Sequence, residues 1–277
     1  MLENAVIGLG AEAQGMASRL RTAGLAVAAW DAGAHFEPGV KTFADLPELI
    51  QAVAVPRVVW LALTVDSRFT LALLQTLLGA GDIIVDCVCA HHRSAQDRAR
   101  MLAGKGMFLV DAGIAGVDAQ RGYALMVGGE TQAIEEIRPC LEAIAPGRWL
   151  HCGPSGSGYF VRQMQSLMQG GIAQAWSNGL ATLKKNEAIG VDLQAMAQIW
   201  QGNGSLNGGA QALALEFLND ANVLAQMATG NPQELAKLRQ ELTPALNLAL
   251  EVHYAAQGMS LFQHQIAAML GGIPPRG

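Results

Sequence analysis

Seven short apolar runs, NAVIGLG, LAVAAWD, RVVWLALT, DIIVDC, MFLVDAG, YALMVGG and RWLHCG, recur between Asn4 and Gly153 with amphipathic segments of helical period between them. Strands that read as nearly continuous apolar runs are buried on both faces, and their alternation with helices specifies an α/β fold with a doubly wound parallel sheet. After HCGPSGSG (151–158) the runs stop, and the chain from Tyr159 to Leu270 is rich in Ala, Leu, Gln and Met at helical spacing. The change of period predicts two domains, an α/β domain over residues 1–155 and an all-α domain over residues 156–277. Within the second, QGNGSLNGG (201–209) and TGNPQE (229–234) read as turns, and the closing GGIPPRG as a loose tail.

The first strand runs directly into VIGLGAEAQGMASRL, which places Gly8, Gly10 and Ala13 as G-x-G-x-x-A between a strand and a helix. Gly8 permits the tight turn, Gly10, with Leu9 between the two glycines, lets backbone approach a pyrophosphate, and Ala13 lets the helix pack closely. The phosphates then sit at a helix N-terminus, where N–H groups and the helix dipole favour an anion. Asp31 closes the second strand, where a carboxylate holds the adenosine ribose hydroxyls. A 2'-phosphate would meet that charge, and the following AGAHFEPG offers no arginine, so NAD is the expected cofactor, with NADP the alternative. Together these features predict a Rossmann domain. Thr64 and Asp66 stand at the end of the third apolar run, beside the expected cofactor cleft; Asp66 and Ser67 read equally well as a helix cap.

Charged residues make up 15% of the 277 residues against about 25% in an average domain, and hydrophobic ones reach 51%. So much apolar surface predicts burial between subunits, hence a homo-oligomer. A net charge of -5 without a basic stripe argues against a nucleic-acid partner. No apolar run reaches membrane-spanning length and no basic leader precedes NAVIGLG, so a cytoplasmic protein with no membrane partner is expected. Cys87, Cys89, Cys140 and Cys152 do not form a disulfide framework. Cys87 and Cys89 with His91 and His92 raise the question of a metal, but zinc ligands are paired at wider spacing, and small core thiols are the better reading.

In GSGYFVRQMQSLMQGG (156–171), Arg162, Gln165, Ser166 and Gln169 lie at offsets of three, four and seven, forming one polar stripe on a helix beside Met164, Leu167 and Met168.

The chain resembles the short bacterial 6-phosphogluconate dehydrogenases, within the 3-hydroxyacid dehydrogenase superfamily, over almost its full length. The resemblance is carried by IGLG, VVWLAL, GDIIVD, RGYALMVGG, APGRWLHCGPSGSGYFVR and, more faintly, IWQGNGS and IAAMLGG. It implies a Rossmann domain, a helical domain opening with a long helix, a homo-oligomer, dimer or tetramer, built through that helical domain, and a small-molecule substrate. In the family that helix reads F-V-K-x-x-H-N-x-x-E-Y-G, with a lysine base, a substrate-holding asparagine and a glutamate acid. Here FVRQMQSLMQGG puts Arg162 at the lysine, Gln165 at the histidine, Ser166 at the asparagine and Gln169 at the glutamate. The family's substrate loop S-G-G becomes Ala115, Gly116 and Val117, and its G-G-N-S loop after the fourth apolar run becomes CVCA (87–90). F-G-G-H becomes LGGI, and His253 stands about where an arginine is expected.

These exchanges change the chemistry. A desolvated lysine can be neutral near pH 7 and take a proton; arginine, with a pKa above about 12, does not. Gln169 has no acidic proton to return to an enediol. Arginine does bind carboxylates and phosphates through two parallel hydrogen bonds. Tyr159, Tyr123, His151 and His253 are the remaining proton-transfer candidates, His151 reading more as a structural residue. Three readings follow: an NAD(P)-dependent oxidoreductase acting on a different small anionic or carbonyl substrate, a dinucleotide-binding pseudoenzyme acting through oligomer or partner contacts, and an ordinary decarboxylating 6-phosphogluconate dehydrogenase.

Overall fold

The computed structural model of the chain describes residues 3–8, 10–30, 36–63, 68–88, 91–118, 120–166 and 168, with single positions at 183, 190, 192, 195 and 196. Two compact units make up the chain, Met1–Gln163 and Met164–Gly277. In the first, the elements follow as β1 (Glu3–Ile7), α1 (Ala11–Thr22), β2 (Ala26–Trp30), β3 (Lys41–Phe43), α2 (Leu46–Ala52), β4 (Arg57–Leu61) and α3 (Arg68–Leu77). They continue as β5 (Ile83–Asp86), α4 (His92–Ala103), β6 (Phe108–Asp118), β7 (Gly122–Gly128), α5 (Thr131–Ile144) and β8 (Trp149–Gly153). A helix over residues 157–166, α6, follows.

The strands form one sheet in the order β3-β2-β1-β4-β5-β6-β7-β8. Successive residues of a strand point to opposite faces, and here both faces are apolar. Val6, Val58, Trp60, Ile83 and Val85 face α1 and α5, packing with Met16, Leu20, Ile137 and Leu141. Ala5, Ile7, Val59, Leu61 and Ile84 face the other way, against Leu49, Ile50, Leu71, Leu74 and Leu102 from α2, α3 and α4. Each such side chain contributes about 1.5–3 kcal/mol on leaving water, so the two cores fix the register of the central strands.

Two details depart from the pattern read in the sequence. The strand β3 was not expected, because Lys41–Phe43 is short and carries no apolar run; it pairs with β2 as the sheet's margin. The segment RVVWLALT therefore forms the fourth strand of the chain. The sheet is also not wholly parallel: β6 and β7 pair antiparallel, while the remaining pairs are parallel. A hairpin loop of about three residues (119–121) is too short for a crossover helix, which leaves an antiparallel return.

One polar cluster sits inside the first core. Asn4 is fully buried; its amide donates to Ala26 O at 3.1 Å, and its Oδ1 accepts from Trp60 Nε1 at 3.0 Å and from the Cys140 thiol at 3.3 Å. One side chain thus ties β1 to β2, β4 and α5.

Most of the expected all-helical region, 156–277, lies outside the described residues. In the second unit Asp192 begins a helical turn, accepting from Ala195 N at 3.1 Å through Oδ1 and from Met196 N at 3.0 Å through its carbonyl. Among the described residues no helix is long and apolar enough to cross a membrane.

Replacing Asn4 by alanine strands the Trp60 indole N–H in the core. The expected loss is about 2–4 kcal/mol in the unfolding transition of the first unit, measured by urea denaturation. A loss under about 0.5 kcal/mol, the size of an ordinary surface substitution, would contradict this account of the core.

Candidate functional site

The sheet order reverses between β1 and β4, so the carboxyl ends of these strands diverge and open a crevice, as ligand sites in open α/β sheets do. Gly8 lies at its floor. A Cβ there would lie 2.8 Å from the Ala13 Cβ and collide with Ala62 O, so only glycine lets the turn pass between β4 and α1. Gly10 is the N-cap of α1 and provides no side-chain cap. The first N–H groups of the helix therefore meet no capping side chain, and they point where a pyrophosphate would sit. The donor set and the space fit a dinucleotide, with Gly8, Gly10, Ala13 and the first turn of α1 as its cradle. Leu9, Asp31, Thr64 and Asp66 lie outside the described residues.

Beyond the sheet, β6 continues past Asp111 and folds back as β7. The register slips between Ile114 and Gly116, leaving Ala115 as a bulge. Ala115, Gly116 and Val117, expected as a loop, are thus part of a strand. The short connection between Asp118 and Gly122, ending on a glycine, could have signalled this hairpin. A Cβ on Gly116 would meet nothing within 4 Å, and Val117 is 58% exposed. A bulge beside such open space re-aims backbone groups toward a ligand.

Arg162 stands against this bulge. Its Nε donates to the carbonyl of Ile114, the residue just ahead of Ala115. Its stem crosses Gly113, where a Cβ would come within 3.0 Å of the Arg162 Cγ. The structure therefore joins Arg162 to the 114–117 segment, two features far apart in sequence. Gln165 and Ser166 follow on the same helix, α6, in its last described turn. Gln165 Oε1 is buried without a hydrogen-bond partner among the described residues. Gln169 and His253 lie outside them.

What holds α6 was not visible beforehand. Asp111, fully buried in β6, accepts from Gly156 N at 2.5 Å through Oδ1 and from Tyr159 N at 2.9 Å through Oδ2. Its carboxylate thus caps the helix from the sheet. The approach is this close because Gly158 has no Cβ, which would lie 2.6 Å from Asp111 O and 2.8 Å from Gly128 N. Asp86, beside it in register on β5, is also buried and pairs with Arg98 at 2.8 Å. Burial pushes the Asp111 carboxyl up to about 6; the two N–H bonds lower it and the Asp86 charge adds to the rise. The only hint in the sequence was that DIIVD and MFLVD each end an apolar run on aspartate.

The described proton-transfer candidates have other roles. Tyr123 is 2% exposed and its hydroxyl donates to Glu12 O at 2.8 Å, locking β7 onto the first turn of α1; burial drives its pKa up to about 12. Tyr159 is fully buried and donates to Asp86 O at 2.9 Å. The Nε2 of His151 lies 3.0 Å from Gly129 O and 2.9 Å from Gly153 O, a latch across β7 and β8. Cys87 and Cys140 are buried, and Cys89 lies outside the described residues. Among the described residues no group of three or more metal-ligating side chains forms.

Comparison with known proteins places this geometry. Residues 3–153, more than half of the chain, match the family model described as the NAD binding domain of 6-phosphogluconate dehydrogenase. The NAD-dependent, decarboxylating 6-phosphogluconate dehydrogenase of Haloferax volcanii is 28% identical over 212 residues, 73% of this chain and 69% of that protein. Among solved structures, the 3-hydroxyisobutyrate dehydrogenase of Mycobacterium tuberculosis with L-serine matches at TM-score 0.61 and 19% identity, covering 98% of this chain and 94% of that one. An imine reductase from Pseudomonas sp. matches at TM-score 0.54 and 17% identity, covering 97% and 94%. At such identities the two structures share the fold with this chain, and fold alone does not carry a substrate.

The Asp111 carboxyl resonance should titrate near 6 in a carbon-detected NMR experiment; a midpoint at or below about 4 would refute the burial argument. The folded state then holds a proton that the unfolded chain has released. The contribution of this group to stability is therefore full below the ordinary carboxylate range and falls as pH rises through about 6.

Proposed function

Because the chain belongs to the family built on the NAD binding domain of 6-phosphogluconate dehydrogenase, within the 3-hydroxyacid dehydrogenase superfamily, we propose that it is an oxidoreductase of that family whose site has exchanged proton chemistry for anion recognition. The observation that carries this reading is Arg162 at the lysine position, seated on the β6 bulge by its bond to Ile114 O. When bound, the nicotinamide would supply or accept the hydride, and the accompanying proton would be exchanged with water or with an acid or base outside the described residues. Gly8, Gly10 and the N-terminus of α1 hold its pyrophosphate, and Asp31 favours NAD by repelling a 2'-phosphate.

The substrate is a small anionic or carbonyl compound. Arg162 binds the anionic end: a guanidinium carries five N–H donors in a rigid fork, suited to a two-bond grip on a carboxylate. The exposed backbone around Gly116 lets the reacting end lie against β6. Decarboxylation of 6-phosphogluconate is not the reaction, because Arg162 takes no proton and Gln169 returns none. The active form is a homo-oligomer assembled through the helical half.

A second reading has a specific observation behind it. Tyr123, Tyr159 and His151 are all bonded to backbone carbonyls, which suits a protein that binds dinucleotide without turnover. A panel of keto acids, imino acids and semialdehydes, followed by NADH absorbance, separates the two: steady oxidation of NADH with any of them supports the oxidoreductase, and NADH binding with no turnover across the panel favours the second reading.

Fluorescence titration should give NADH at least about tenfold tighter binding than NADPH, and the reverse order would remove Asp31 from its assigned place. With the best substrate of the panel, Arg162→Gln should raise KM about tenfold or more while the NADH dissociation constant stays within about twofold. An unchanged KM would contradict the anion grip. The triple variant Arg162→Lys, Ser166→Asn, Gln169→Glu should oxidise 6-phosphogluconate where the parent does not.

A further inference from the structure

Arg162 is useful only if its helix is held in one place. Three observations show what holds it. The carboxylate of Asp111 receives two N–H groups from the start of α6, Gly156 at 2.5 Å and Tyr159 at 2.9 Å. The helix backbone lies directly on the strands: a Cβ on Gly158 would be 2.6 Å from Asp111 O, and one on Gly128 would be 2.7 Å from Asp111 Oδ1 and from Ser157 Oγ. One turn further on, Arg162 crosses Gly113, two residues along β6 from Asp111, and bonds Ile114 O. Cap, close approach and arginine seat thus form a single contact line along β6, from Asp111 to Ile114.

We propose that Asp111 is the positioning residue of the anion site: by clamping the first turn of α6 onto β6 it sets the guanidinium of Arg162 over the bulge. This rests on the reading of Arg162 as the substrate anion's partner. Asp111 itself touches no substrate. The two bonds matter together, because a carboxylate accepts at both oxygens and fixes both the height and the roll of the helix. An asparagine presents one acceptor and one amide donor, and the donor faces an N–H it cannot satisfy.

The two ways in which Asp111 can influence an anion have opposite signs. Acting through space, its negative charge repels an anion, so removing it would tighten binding. Acting by position, its loss lets Arg162 drift from its seat, and binding weakens. A double-mutant cycle with Arg162 separates both from a general loss of structure.

The experiment uses oxalate as the probe, titrated into the NADH-bound full chain at pH 8 by calorimetry, for the parent, Asp111→Asn, Arg162→Gln and the double variant. Asp111→Asn should weaken oxalate about tenfold and leave the NADH affinity within about twofold, with no further loss once Arg162 is already glutamine. Unchanged or tighter oxalate binding in Asp111→Asn overturns the proposal, as does an equal loss in the presence and absence of Arg162. If Arg162→Gln itself binds oxalate like the parent, the anion-binding reading fails and this inference falls with it, an outcome distinct from failure at Asp111 alone. Should Asp111→Asn not fold, the parent protein decides: linkage is reciprocal, so oxalate should slow hydrogen exchange at the Gly156 and Tyr159 amides several-fold. Exchange at those amides that oxalate does not change overturns the proposal.

Discussion

A buried carboxylate meeting the start of a helix is the contact on which the site depends. Asp111 sits in β6 at the level where the parallel part of the sheet ends, and from there the chain must do two things at once. It must extend β6 into the hairpin with β7, and it must receive α6 as the chain returns from β8. Glycines at 113, 128 and 158 strip the interface to backbone, and the Asp111 carboxylate supplies the polar partner that the first N–H groups of α6 would otherwise lack. Desolvation opposes the arrangement, which is why the carboxyl is pushed up to about 6. The two N–H bonds offset part of that penalty and tie the start of α6 to β6.

The remaining links run outward from there. Tyr159, whose N–H reaches Asp111, turns its ring into the second core and its hydroxyl to Asp86 O, so α6 is also anchored to β5. Tyr123, on the return strand of the hairpin, bonds Glu12 O in the first turn of α1. The β6–β7 hairpin is therefore braced on one side by the helix whose N-terminus suits a pyrophosphate and on the other by the helix that carries Arg162. The hydroxyls of Tyr123 and Tyr159 are spent on this bracing. Among the described residues the site is therefore built for positioning.

Much of the fold was legible because buried parallel strands announce themselves as apolar runs and the glycine fingerprint is readable between a strand and a helix. Gly8 and Gly10 fall where that pattern put them, in the turn from β1 to α1. Lys41–Phe43 escaped because a three-residue marginal strand needs no apolar face. The antiparallel β6–β7 pair escaped because a run of apolar residues carries no direction; only the short connection does. Asp86 and Asp111 were illegible for a different reason. An aspartate after an apolar run reads as the end of a strand, whereas Asp86 is met by Arg98 from the next helix and Asp111 by an element 45 residues further along, at Gly156. For Tyr123 and Tyr159 a core role is the commoner one from sequence and is what the structure has, their partners Glu12 O and Asp86 O being fixed only by the fold.

The central claim is that Arg162 binds the anionic end of a substrate beside a nicotinamide dinucleotide. The most direct measurement is a crystal structure of the full chain with NADH and oxalate. The account predicts the pyrophosphate on the N-terminus of α1 and an oxalate carboxylate within hydrogen-bonding distance of the Arg162 guanidinium, next to the bulge at Ala115. Oxalate bound elsewhere, with the Arg162 guanidinium turned away from the nicotinamide, would contradict it.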